Sequence, residues 1–199
     1  MRKILLVLFA ALLIPASASA LTILDFDTVP TQYWFPVGSG GGVNLGNYYP
    51  GVTFGSHAIV LDTSMGQAVY NYDKFPPHSV TAVLFADSSS TIEADFANPV
   101  NHAEVWYSSD GDFGLSAYNA SGGLIASASG LANLYSTSRL EVNSGASDIA
   151  YVTMTGPAPG HFTIDDFGYN AVPLPGALLL FGSGLAGLAL LRRRFAKNL

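Results

Sequence analysis

The sequence predicts an all-β protein, a jelly-roll-like antiparallel β-sandwich flanked by a signal peptide and one C-terminal transmembrane helix. Between residues 21 and 171, apolar residues alternate with polar ones, which is the period of a β-strand and not of a helix. These alternating runs are short and are separated by Gly, Pro, Asn, Asp and Ser, which favour turns. Apolar runs beside basic residues occur only at the two ends. The chain therefore divides into residues 1–20, 21–171 and 172–199.

Residues 1–20 have the order of parts of a secretory signal peptide. Arg2 and Lys3 form a basic start, residues 4–14 are apolar, and small residues at positions 18–20 form a cleavage site. A permanent N-terminal membrane anchor is the alternative, but an apolar run of about 11 residues is short for a membrane span. We therefore expect export, with Leu21 as the first mature residue.

Residues 21–171 contain many short runs that fit β-strands. Their spacing favours a sandwich over a single open sheet. The predicted strands are 22–26, 52–54, 57–61, 80–85, 91–96, 102–107, 114–119, 124–128, 138–142, 149–154 and 162–169.

The run 91–96 shows the alternation most clearly. Ile92, Ala94 and Phe96 are expected to face the core, and Glu93 and Asp95 to face water.

Two glycine-containing segments have no strand pattern. Residues 119–123 predict a hairpin turn, because glycine tolerates the positive φ of tight turns. Residues 37–44 predict an irregular loop, which either connects two strands flexibly or wraps a ligand.

Acidic residues near both ends of the β domain suggest a metal site. Asp25 and Asp27 lie in a strand-like run at the mature N-terminus, and Asp165 and Asp166 lie in the last predicted strand. The first and last strands of a jelly roll commonly lie close, so their carboxylates would repel one another without a partner. A Ca²⁺ ion bound by these four residues would remove the repulsion. The alternative is that the acids are solvated. Neighbouring strand residues point to opposite faces, so we expect at most one of Asp165 and Asp166 to be a ligand.

Aromatic residues cluster around the glycine-rich loop. Tyr33, Trp34, Phe35, Tyr48 and Tyr49 could stack on sugar rings if they lie exposed on one face. The alternative is that they fill the sandwich core.

The segment 172–199 combines a proline-containing motif, an apolar run and a basic cluster. The motif consists of Val172, Pro173, Leu174, Pro175 and Gly176. Residues 177–191 are apolar, and counting from residue 172 gives about 20 residues, enough for a membrane helix. The basic cluster that follows would stay on the cytoplasmic side and consists of Arg192, Arg193 and Arg194. A buried core helix is the alternative, but three arginines beside an apolar run fit a globular interior poorly.

These ends together resemble the PEP-CTERM class of bacterial surface proteins, which have a signal peptide, a variable ectodomain and a C-terminal Pro-x-Pro element, helix and arginine cluster. Leu174 stands where the class has a glutamate, so the motif is similar to a Val-Pro-Leu-Pro variant. The resemblance implies export in a Gram-negative bacterium and recognition by an exosortase, a membrane protease or transpeptidase. It implies a location at the cell surface or in the extracellular matrix, associated with exopolysaccharide or biofilm.

Residues 162–169 also resemble the closing strand of carbohydrate-binding and MAM-like sandwich domains. That resemblance implies a structural calcium site at an acid of this strand, which agrees with the site suggested by the four aspartates.

Charge and cysteine content exclude several classes of function. The 14 acidic residues all lie in 21–171 with two bases, Lys74 and Arg139, so this segment has a net charge of −12. Such a surface repels nucleic acid and polyphosphate. The chain has no cysteine, which excludes disulfides and thiolate metal sites.

Catalytic motifs are weak, so we expect a non-enzymatic protein. The chain has no serine with the glycine spacing of a nucleophile elbow and no His-Glu-x-x-His run. Three hypotheses remain: an exported surface or matrix protein, a carbohydrate-binding module with structural calcium, and a glycoside hydrolase that would use a pair of acids such as Glu93 and Glu104.

Overall fold

The computed structural model describes residues 20–30, 43–66 and 70–171. They belong to one compact unit, Ala20–Ala171. Among these residues, no helix is long and apolar enough to span a membrane. The predicted signal peptide and transmembrane helix lie outside the described residues.

The described residues form twelve β-strands, which confirms the all-β prediction. The strands are β1 (Ala20–Leu24), β2 (Val43–Asn44), β3 (Val52–Phe54), β4 (Ala58–Asp62), β5 (Ala82–Ala86), β6 (Thr91–Val100), β7 (His102–Ser109), β8 (Phe113–Tyr118), β9 (Leu124–Gly130), β10 (Ser138–Asn143), β11 (Ile149–Thr155) and β12 (Phe162–Ala171). A 3₁₀ turn, Thr63–Met65, follows β4.

Two antiparallel sheets face each other. The seven-stranded sheet has the order β10-β7-β12-β5-β4-β2, with β1 paired to β12, and the five-stranded sheet has the order β3-β6-β11-β8-β9. Most buried side chains lie between the sheets, where aromatic residues such as Phe26, Phe113 and Phe167 are fully buried. The predicted alternation in β6 is confirmed: Ile92 and Ala94 are buried, whereas Glu93 and Asp95 are exposed.

A second, smaller core lies on the outer side of the seven-stranded sheet. Ile59 and Leu61 of β4 and Val83 of β5 pack there against Tyr70 and Phe75. We call residues 70–81 the cover segment, because it shields this part of the sheet from water. The apolar runs of β4 and β5 thus have both faces buried, which explains why they do not alternate.

The structure differs from the predicted strands most clearly in two places. Val43 and Asn44, predicted as loop, form the short strand β2 beside β4. Val80 and Thr81, predicted as strand, precede β5, and their N–H groups bind the Asp27 carboxylate and not a neighbouring strand. The predicted hairpin turn at 119–123 is confirmed, with Gly122 at φ +80° and its N–H donating to the Asn119 carbonyl.

Candidate functional site

A β-bulge in β12 positions two of the predicted acids. On one side β12 pairs with β7 throughout, but the register shifts between Asp165 and Gly168. On its other side the neighbour changes from β5, which pairs as far as Ile164, to β1, which pairs from Phe167 onward. Asp166 has a φ of +44°, a left-handed conformation that aspartate tolerates better than most residues. The bulge therefore leaves Asp165 and Asp166 beside the gap between β1 and β5.

Asp165 is buried and holds the end of the cover segment. Its carboxylate accepts hydrogen bonds from the backbone N–H groups of His78 at 2.8 Å, Ser79 at 2.7 Å and Asp166 at 2.7 Å. Burial raises the pKa of Asp165 to about 6; the N–H of Ser79 acts in the opposite direction, and the charge of Asp166 adds to the increase.

Asp27 holds the next residues in the same way. Its Oδ1 accepts from the N–H groups of Thr81 and Ala82, both at 2.8 Å, and from the Thr81 hydroxyl at 3.0 Å. Burial alone would raise the pKa of Asp27, but these donors outweigh it, and the net pKa lies below the usual value. Phe26, with a φ of +61°, turns the chain after β1 toward the start of β5.

The structure brings Asp27 and Asp165 to one serine. The Ser79 hydroxyl lies 3.3 Å from Asp27 Oδ2, 3.0 Å from Asp165 Oδ2 and 3.4 Å from the Asp25 carbonyl oxygen. A hydroxyl has one hydrogen, so it donates to one of these oxygens at a time. Asp27, three residues after the end of β1, and Asp165 of β12 thus lie within hydrogen-bonding distance of the same hydroxyl.

The repulsion that suggested calcium is reduced here by N–H donors. Calcium takes about six to eight oxygen ligands. The oxygens of Asp27 and Asp165 already accept hydrogen bonds, and an oxygen that faces a donor hydrogen has fewer lone pairs for a cation. A calcium ion at Asp25, Asp27, Asp165 and Asp166 would therefore require these donors to turn away. Calcium binding at these four aspartates stays a prediction.

His78 and Trp106 belong to the same site, and sequence reasoning missed both. The His78 ring stacks on Trp106, with centroids 3.7 Å apart and planes 10° apart, and its Nδ1 lies 2.5 Å from Asp166 Oδ2. Both Asp165 and Asp166 thus contact His78, whereas a regular strand would point them to opposite faces; the bulge explains the difference. The only available signal was the alternation in β7, which places Glu104 and Trp106 on one face.

Four polar residues form a separate network on the outer face of the seven-stranded sheet. Buried Glu104 lies 2.9 Å from His102 Nε2 and is bonded to Arg139, which also contacts Glu141 at 2.6 Å. Burial would raise the pKa of Glu104, but the hydrogen bonds from His102 and Arg139 outweigh it and lower the net pKa. Glu93 lies on the five-stranded sheet, so the pair considered for glycoside hydrolysis is split between two sheets.

The predicted aromatic cluster is described only in part. Tyr33, Trp34 and Phe35 lie outside the described residues. Tyr48 is 46% exposed, and its hydroxyl donates to the Thr28 carbonyl at 2.9 Å. Tyr49 packs against the main core. The two described tyrosines thus have different environments, one at the surface and one in the core.

The sorting residues, from Val172 to Gly176 and from Arg192 to Arg194, also lie outside the described residues. In sequence, residues 171–194, which include all of these residues, match the PEP-CTERM protein-sorting motif. No curated protein matches the chain.

Solved structures show similarity of fold. The chain is similar to the K2 cleaved adhesin domain of Lys-gingipain, with a TM-score of 0.50 and 8% identity over 76% of this chain and 100% of that one. It is also similar to the CBM22-1 xylan-binding domain of Paenibacillus barcinonensis Xyn10C, with a TM-score of 0.45 and 10% identity over 80% and 99% of the chains. The first of these similarities agrees with the β-sandwich. The chain is thus an exported protein that carries a PEP-CTERM protein-sorting motif at residues 171–194.

Proposed function

We propose that this chain is a non-enzymatic surface or matrix protein of a Gram-negative bacterium, processed at its sorting motif by an exosortase-like enzyme. The observation that carries the proposal is the match of residues 171–194 to the sorting motif, which begins at Ala171, the last residue of β12. A β-sandwich followed by such a motif supports a folded domain that lies outside the inner membrane before processing. After export, the surface of the β domain determines which partner it binds.

The partner that fits this domain best is extracellular polysaccharide. The segment 21–171 carries 14 acidic residues and two bases, and in the structure both bases are already paired, Lys74 with Asp110 and Arg139 with Glu104 and Glu141. Polyanions such as nucleic acid are therefore repelled, whereas hydroxyl-rich and amine-bearing polymers are not.

Mass and cell fractionation test the sorting proposal. We expect wild-type protein in the cell-surface or matrix fraction, beginning near Leu21 and ending between Pro173 and Gly176. Deletion of residues 172–199 should release the protein into the periplasm or medium, because the anchor and motif are lost.

Two substituted chains separate recognition from anchoring. The double variant Pro173→Ala/Pro175→Ala alters the motif but leaves the apolar run intact, so we expect an uncut chain in the inner membrane. Lys197→Ala, outside residues 171–194, is the control and should be processed like wild type. A wild-type chain that stays uncut in the inner membrane would refute the proposal.

Matrix association has its own test. In a host strain that makes no exopolysaccharide, we expect the processed protein to move from the matrix to the medium. Retention at the surface without polysaccharide would show that another component holds it.

A further inference from the structure

The outer face of the five-stranded sheet carries a regular array of side chains that the sites above do not use. Its inner face supplies core residues such as Met154 and Leu115, which are fully buried. The intervening residues point outward, and the strand register aligns them in rows across the sheet. We call this outer surface the tyrosine face.

The first row crosses all five strands. Cross-strand partners link Thr53 to Asp95, Asp95 to Tyr151, Tyr151 to Tyr118, and Tyr118 to Leu124. With strands about 4.8 Å apart, the row spans about 19 Å. In its centre the Tyr118 and Tyr151 rings stack, with centroids 4.9 Å and planes 10° apart. Leu124, at the end of the row, is 61% exposed.

The two rows beside it are rich in hydroxyl groups. Glu93 pairs across the strands with Thr153, and the row continues through Ser116 to Ser127. The third row comprises Thr91, Thr155, Gly114 and Ser129. These residues are exposed or half-buried, so the hydroxyls are accessible from solvent.

The charged side chains of the tyrosine face are all negative. Glu93 and Asp95 are its acidic residues, two positions apart on β6, and the strands β3, β8, β9 and β11 carry no charged residue. Among the described residues neither acid has a salt bridge. The bases Lys74 and Arg139 are paired with acids elsewhere. The face is therefore complementary to a positively charged partner.

We propose that the tyrosine face binds a polysaccharide whose sugars carry free amino groups. The proposal rests on the proposed function, since it names the site and the chemical class of the polysaccharide. Apolar faces of sugar rings pack on aromatic and aliphatic side chains, here Tyr118, Tyr151 and Leu124. The serine and threonine rows donate and accept hydrogen bonds with sugar hydroxyls. Glu93 and Asp95 pair with protonated amines and repel acidic polymers.

The binding test uses the exported protein purified from its host in mild detergent. The probes are chitosan, as an amine-bearing polymer, fully acetylated chitin oligosaccharides and cello-oligosaccharides as neutral ones, and alginate as an acidic one, all near pH 6. We expect binding to chitosan that weakens as salt is added, weaker binding to the neutral glycans, and no binding to alginate.

Paired variants locate the site. Tyr118→Ala/Tyr151→Ala should weaken chitosan binding by at least about tenfold. Tyr118→Phe/Tyr151→Phe keeps the stacked rings and is therefore the control for misfolding of the alanine variant. This phenylalanine variant should retain most of the chitosan binding. Glu93→Gln/Asp95→Asn should remove the preference for chitosan over neutral glycans.

Matched controls lie away from the tyrosine face. Tyr135→Ala removes a tyrosine that is 72% exposed and whose N–H donates to Lys74 of the cover segment. Asp73→Asn removes an exposed acid of the same segment. Both should bind chitosan like wild type.

The outcomes distinguish the two proposals. If wild type binds glycans but the face variants bind equally well, the tyrosine face is not the site, while the proposed function stands. Equal binding of chitosan and neutral glycans would overturn the amine specificity. If wild type binds no glycan, the tyrosine-face proposal and the polysaccharide partner both fail, and sorting through residues 171–194 is unaffected.

Discussion

Single carboxylates organise the connection between the cover segment and the sandwich. Asp27 accepts N–H donors from Val80, Thr81 and Ala82, three successive residues. In Asp27→Asn, an NH₂ group replaces one acceptor and faces these donors. We expect the free energy of unfolding to fall by about 1–3 kcal/mol, because the partly buried N–H groups of Thr81 and Ala82 lose their charged acceptor. Denaturant unfolding measures it.

Asp25→Asn is the matched control. Asp25 lies two residues away, and in the described part of the chain its carboxylate accepts no hydrogen bond. Stability should stay within about 0.5 kcal/mol of wild type. Equal losses in both variants would show that local charge, and not hydrogen bonding to Asp27, stabilises the segment.

The pKa values of Asp27 and Asp165 predict opposite pH effects. The pKa of Asp165 is raised to about 6 from the usual 3.8, so the folded protein keeps this proton longer than the unfolded chain does. Its contribution to stability is therefore full below about pH 3.8 and decreases as pH rises to about 6. The pKa of Asp27 is lowered, so its contribution is present above pH 3.8 and is lost as pH falls below that value. NMR titration of the side-chain carboxyl carbons measures the pKa of each aspartate. An Asp165 that titrates near pH 3.8 would contradict the predicted loss of stability as pH rises to about 6.

Calcium addition tests the remaining metal prediction. If Ca²⁺ binds at the four aspartates, it should lower the pKa of Asp165 and raise the melting temperature, and EDTA should reverse both. Asp165→Asn should abolish the response. A pKa and a melting temperature that calcium leaves unchanged would show that the N–H donors alone stabilise these carboxylates.

At the scale of elements, the bulge in β12 depends on a glycine opposite Glu104. A Cβ at Gly168 would lie 2.6 Å from Glu104 Cγ, and His102 and Arg139 hold that side chain in place. Gly168→Ala should therefore lower the free energy of unfolding by about 1–3 kcal/mol. Gly145→Ala is the control, since a Cβ there meets nothing within 4 Å. Thermal unfolding compares the two; equal stability would contradict the steric role.

Strand positions followed from local pattern, but their ends did not. The alternation in β6 depends only on which face is buried, and it predicted Ile92 and Glu93 correctly. The start of β5 depends on Asp27, which is more than 50 residues earlier in the sequence. Its carboxylate accepts hydrogen bonds from the N–H groups of Val80 and Thr81, so these N–H groups do not pair with a neighbouring strand. Such a long-range contact leaves no periodic signal in the sequence.

At the scale of the whole molecule, the main core predicts independent folding of the β domain. One continuous cluster of buried side chains joins both sheets, from Leu24 in β1 to Tyr169 in β12. A fragment of residues 20–171 should therefore unfold cooperatively without the terminal segments. Circular dichroism and denaturant unfolding test this. A fragment with strand signal but no cooperative transition would show that the terminal segments contribute to the fold.

The sequence by itself determined the fold class, most strands and the sorting motif, because these depend on local periodicity and on the order of short segments. It also indicated that acids near the two ends of the β domain lie close together. Only the tertiary structure decided what those acids bind, since the bulge at Asp165 and the cover segment bring distant N–H groups to them. The tyrosine face likewise depends on register: Tyr118 and Tyr151 are 33 residues apart, and only the pairing of β8 with β11 places them side by side. Side-chain sites of this kind arise from contacts between strands distant in sequence, which a local pattern does not encode.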